Sequence, residues 1–99
     1  MYDKIYYPYP STDNKHKFFI ITNEGKKVNF GAKGYEDFTI HKNEDRKRRY
    51  ILRHKPKEER FWNNPNTKSF WSKNLLWNKP TLKESYKDIH NHLKSLGYL

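Results

Sequence analysis

The segment "TLKESYKDIHNHLKSLGY", Thr81 to Tyr98, constrains the fold more tightly than any other part of the chain. Thr81 and Glu84 stand at the spacing of a capping box, in which a hydroxyl and a carboxylate satisfy the first free groups of a helix. Leu82, Tyr86, Ile89, Leu93 and Leu96 follow at alternating steps of four and three, and Gly97 stands where a C-terminal cap belongs. A helix with one apolar stripe has to bury that stripe. Two heptads are too few to specify a coiled coil. The stripe therefore needs either a sheet from the same chain or the surface of another.

The sheet is supplied upstream by "HKFFIITNEGKKVNFG". Phe18 to Thr22 is β-branched and aromatic, Asn23-Glu24-Gly25-Lys26 is a turn cluster, and Lys27 to Phe30 alternates polar and apolar. This pattern predicts a β-hairpin with Gly25 at a position of positive φ, and Val28 and Phe30 sharing one face. Residues 31–41 are expected to form a loop with a short extended piece at Phe38-Thr39-Ile40. Lys42 to His54 has helical character with a narrow apolar stripe around Tyr50 and Ile51, ended by Pro56. Residues 55–66 read as a loop anchored by Phe61-Trp62. A short helix capped by Thr67 or Ser69 follows, bearing Phe70, Trp71, Leu75, Leu76 and Trp77, and Lys79-Pro80 breaks it.

Together these elements predict a small α+β domain over 16–99, an N-terminal hairpin packed by two or three helices, preceded by an extended arm, 1–15. The arm, "MYDKIYYPYPSTDNK", takes extended backbone from Pro8 and Pro10. Tyr6, Tyr7 and Tyr9 make it too aromatic for an inert tail, and they are expected to anchor an interface together with Trp62 and Trp71.

A chain of 99 residues holds one core. Only 33% of it is apolar and 32% is charged, a balance that leans toward disorder; the 17% of aromatic residues argues for a small core built from rings. The net charge of +10 points to a polyanionic or acidic partner. Cysteine is absent, which excludes disulfides and thiolate metal sites. The longest apolar run, Phe18 to Ile21, is far too short for a membrane span, so no membrane insertion is expected.

Two features concentrate the charge. Between Lys42 and Arg60 stand nine Lys or Arg and four Asp or Glu, half of the net charge. Arg46, Arg49 and Arg53 fall on one helical face, a spacing that suits a row of phosphates or carboxylates. A solvated helix laced with ion pairs accounts for the same residues, since Glu44 and Asp45 suit the helix N-terminus and Glu44 can pair with Arg48. Just before it, Gly31-Ala32-Lys33-Gly34 has the form of a turn that can offer amides and Lys33 to a phosphate. It lacks the length and the ending of a P-loop, and two glycines are equally accounted for by a chain leaving a hairpin.

Catalytic chemistry finds little support. Glu36, Asp37 and His41 lie close enough in sequence to suggest a divalent ion, as in a metal-dependent nuclease, but Asp37 or Thr39 serves as well as a local cap. There is no H-E-x-x-H motif and no nucleophile motif. The expectation is a protein without enzymatic activity, metal or other cofactor.

The segments "FGAKGYEDFTIHKNEDRKRRYILRHK" (30–55) and "FWSKNLLWNKPTLKESYKDI" (70–89) resemble a group of small basic proteins encoded by large nucleocytoplasmic DNA viruses. The likeness runs over about residues 16–89 and departs at Asp45, where a second Glu is expected. The group has no assigned activity, so the resemblance implies a viral source and not a mechanism. A small, basic, cysteine-free protein of that source is expected in the virion, and in the host cytoplasm or nucleus during infection. Its partners there would be capsid or other virion proteins, and DNA. On this reading the chain is a structural protein that bridges capsid subunits, or capsid and genome; the alternative is a nucleic-acid-binding protein acting through its basic helix.

Overall fold

The computed structural model describes residues 2–99. The fold is α+β: a three-stranded antiparallel sheet at the N-terminus packed against helices from the second half. Strand β1 is Tyr9–Pro10, β2 is His16–Ile21 and β3 is Lys27–Ala32, in the order β1-β2-β3. The hairpin forms as its pattern predicts, with Phe18 opposite Phe30 and Ile20 opposite Val28. Gly25 takes φ 81° in its turn, and buried Thr22 accepts the amides of Glu24 and Lys26 on its hydroxyl.

Period-two alternation separates two layers of side chains. Phe18, Ile20, Val28 and Phe30 face the core, where Tyr6, Phe70, Trp71, Leu75, Leu76, Ile89 and Leu93 complete the packing. Phe19 points the other way and is nevertheless fully buried. Tyr2 meets it edge-on at 4.8 Å, Tyr9 stacks on it at 5.6 Å, and the Lys27 ammonium lies 4.3 Å from its ring. The proline-tyrosine segment is thus wrapped onto its own domain. Tyr6 is buried in the core, donates its amide to Ile21 O (2.8 Å) and its hydroxyl to Asn66 Oδ1 (2.6 Å), and keeps φ 52° there. A left-handed backbone at a tyrosine is costly, and these long-range bonds over-determine it.

Three helical boundaries differ from the sequence reading. Phe38–His41 is not extended but a one-turn helix, α1, because Asp37 caps it and accepts from Thr39 N. Helix α2 runs over Glu44–Glu58, with Asn43 as its N-cap, and carries Pro56 within its last turn. The carbonyl that Pro56 leaves without a donor belongs to Leu52, an exposed residue that water reaches. A 3₁₀ turn, Glu59–Phe61, then occupies part of the expected loop. Thr67 does cap α3 (Lys68–Trp71), and a π-helical turn, Ser72–Leu76, continues it. That wider turn buries Leu75 and Leu76 side by side and carries the chain to Trp77.

Helix α4, Leu82–Ser95, carries the predicted caps. Thr81 accepts from Glu84 N (3.1 Å), while Gly97 N donates to Lys94 O and Tyr98 N to Leu93 O, the paired bonds of a Schellman ending. Its buried stripe is shorter than expected. Ser85, Ile89 and Leu93 are buried, whereas Leu82 and Leu96 at the two ends are 40% and 44% exposed. Among the described residues no helix is long and apolar enough to cross a membrane.

Gly31 is where sheet and π-turn approach most closely. Its φ is 77°, and a Cβ there would lie 2.8 Å from Leu76 Cδ1. Gly34 has the same backbone class with open space around it. Gly34→Ala should therefore cost about 1–2 kcal/mol from backbone strain alone. Gly31→Ala should cost roughly 1–3 kcal/mol more through overpacking. Urea denaturation of the two variants measures the difference, and equal losses would contradict the close packing described.

Candidate nucleic-acid interface

Helix α2 is charged on most of its surface, and its sole buried side chain among the described residues is Tyr50. The Tyr50 ring lies on Trp77 with centroids 4.4 Å apart and planes within 3°, and His54 covers its other side at 4.2 Å. Burial pushes the phenol well above its ordinary pKa, which keeps it neutral. Aromatic pairs of this kind contribute about 0.5–1.5 kcal/mol beyond the area they bury. Lys47 adds a second tie, donating to Asn78 O at 2.7 Å and lying over the Phe38 ring.

Docked this way, α2 stands off the edge strand β3 and leaves a cleft of about 640 Å³. Arg46, Arg49 and Arg53 all line it, so they share one face as their spacing predicts, with Arg49 and Arg53 exposed at its rim. The opposite wall is Gly31, Ala32, Tyr35 and the Lys17–Asp37 pair. Lys17 Nζ sits 2.6 Å from Asp37 Oδ2, and both side chains are largely buried. That pair is internally neutral and leaves the arginines to set the sign of the cleft. Arg46 reaches Glu36 at 3.4 Å in an exposed pair of the kind that contributes at most about 1 kcal/mol and exchanges readily. Arg49 and Arg53 have no carboxylate within ion-pairing distance among the described residues. The anticipated Glu44–Arg48 pair is replaced by Arg48–Asp45 at 3.0 Å, on the outside of the helix.

The remaining candidates separate. Lys33 is exposed on the turn but does not line the cleft. Its amide is held by Lys15 O (2.9 Å) and that of Tyr35 by Ala32 O (3.3 Å), bonds that fix the corner the glycine pair builds. Glu36, Asp37 and His41 do not converge on a metal position: Asp37 is committed to Lys17 and Thr39, and His41 Nδ1 accepts the Asn43 amide. Burial and neighbouring Arg46 push the His41 pKa down, so its ring is neutral. Tyr6 and Trp71 are wholly inside the chain's own core, Trp71 donating to Pro65 O at 2.8 Å, and offer no surface to a neighbour. Tyr7 and Tyr9 are half-buried against each other, with Tyr7 also packed on Tyr86. Trp62 is half-buried beneath the Lys73 ammonium, 5.1 Å from its ring. The sequence reading missed Tyr35 and the Lys17–Asp37 wall, which only the tertiary structure brings opposite the arginines, and the stacking of His54 on Tyr50 within α2.

Because Tyr50 carries the docking of α2, Tyr50→Ala should release the helix locally. Hydrogen exchange should accelerate across α2 by the equivalent of about 2–4 kcal/mol, while β2, β3 and α4 stay protected. Uniform loss of protection throughout the chain would show instead that α2 is integral to the core.

Residues 9–54, which carry the sheet, Tyr35 and the three arginines, match the model of a family of unknown function (DUF5754). No curated protein and no solved structure matches the chain.

Proposed function

We propose that this protein binds nucleic acid without catalysing a reaction, through the arginine-lined cleft between α2 and β3. The observation that carries the reading is the convergence of Arg46, Arg49 and Arg53 on one concave surface, two of them without an internal carboxylate. Guanidinium forks present paired donors to phosphate oxygens; on the opposite wall Asp37 is matched by Lys17 and Glu36 meets Arg46, which leaves Arg49 and Arg53 uncompensated. The net charge of +10 supplies the long-range attraction. With the resemblance to virus-encoded basic proteins, the setting we propose is a virus particle of the large DNA type, in which this surface holds genome against the capsid.

A second reading, a brace between capsid subunits, draws on exposed apolar side chains: Leu52 on α2, 64% exposed, and Ile40 on α1, 54% exposed. It keeps the arginines for an acidic protein surface.

Equilibrium binding to DNA across roughly 50–200 mM salt separates the two readings. The nucleic-acid reading expects the slope of log K against log salt to fall by about 2–3 when Arg46, Arg49 and Arg53 are all changed to Ala. Binding that survives the triple change with its slope intact would remove the cleft from the interaction. Binding to neither duplex nor single strand would favour the acidic protein partner.

A further inference from the structure

Tyr35 is the most exposed large apolar side chain among the described residues, at 73%, and it stands in the wall of the cleft across from the arginines. Tyr2, Tyr6, Tyr7, Tyr9, Phe30, Tyr50, Trp71 and Trp77 each pack on another ring, whereas no ring packs on Tyr35 among the described residues. It follows the Gly31–Gly34 corner, and the hydrogen bond that its N–H donates to Ala32 O fixes the backbone that presents it. A second depression of about 310 Å³ shares Gly31, Ala32, Tyr50, His54 and Ser72 with the main cleft. The two adjoin along the β3 edge, and the second extends to Lys15 and Lys68. Their carboxylates are engaged: Asp37 with Lys17, Glu36 with Arg46, and Glu58 with His54.

From these placements we infer that the groove takes a single strand, with one base stacked on Tyr35 and the flanking phosphates on Arg49 and Arg53. The inference rests on the nucleic-acid reading above and narrows it to a class of ligand. A basic groove with an exposed ring is the arrangement that binds single strands with little sequence preference, because every base has a π face. A duplex keeps its bases paired and stacked, gives Tyr35 nothing to stack on, and meets the arginines only from outside the groove.

Fluorescence anisotropy with an oligothymidylate of about 12 nucleotides, and with a duplex of the same length, tests this. The wild-type protein should prefer the single strand. Tyr35→Ala should weaken single-strand binding about tenfold with an unchanged salt slope, and Tyr35→Phe should restore it. The exposure of Tyr35 makes all three proteins equally stable, which thermal melts verify. Equal binding of both nucleic acids, with Tyr35→Ala behaving as wild type while the arginine variant fails, overturns the single-strand inference and leaves the broader proposal standing. Absence of binding to either probe overturns both.

Discussion

The stack of Tyr50 on Trp77 is the contact on which the candidate site depends. Every other residue of α2 that faces the body is charged or half-exposed, so the helix has no apolar stripe broad enough to dock by itself. A helix of this composition is marginal in isolation. One ring pair, braced by His54 and by the bond from Lys47 to Asn78, holds α2 and its three arginines at a distance from β3. The cleft is the space that results.

That arrangement divides the chain into a part that folds and a part that presents. The core is made of rings and Leu/Ile from β2, β3, α3, the π-turn and α4, with Tyr6 delivered from the N-terminal segment. Trp77 leaves this core at the end of the π-turn and offers its face to α2. Gly31 does the reciprocal work on the sheet side, since only a residue without a side chain lets β3 approach Leu76. Few apolar residues suffice because most are large rings used on more than one side.

What could be read from the sequence was local. The Thr81 cap, the Thr67 cap, the hairpin turn and the arginine face all depend on residues within a turn or two of one another, and the structure places each as its spacing requires. What could not be read was long-range. Tyr6 enters the core through a bond to Asn66, 60 residues away, and no local signal marks it off from Tyr7. Asp37 looks like a turn residue until Lys17 is brought to it across the sheet edge. Nothing in the sequence marks the π-turn, and Pro56, a helix stop by local rules, is tolerated because it falls in the last turn on an exposed side. A tryptophan such as Trp71 suits an interface anchor and the centre of a core equally, and burial alone decides for the core.

On the function proposed, nucleic acid lies in the cleft between α2 and β3 and not elsewhere on this basic surface. Amide chemical shifts followed during titration with oligothymidylate test it most directly. Perturbations should cluster at Gly31, Ala32, Tyr35, Arg49 and Arg53, with Phe19 and Lys27 on the outer face of the sheet unmoved. Perturbations centred on that outer face, or scattered over the lysines without a focus, would contradict it.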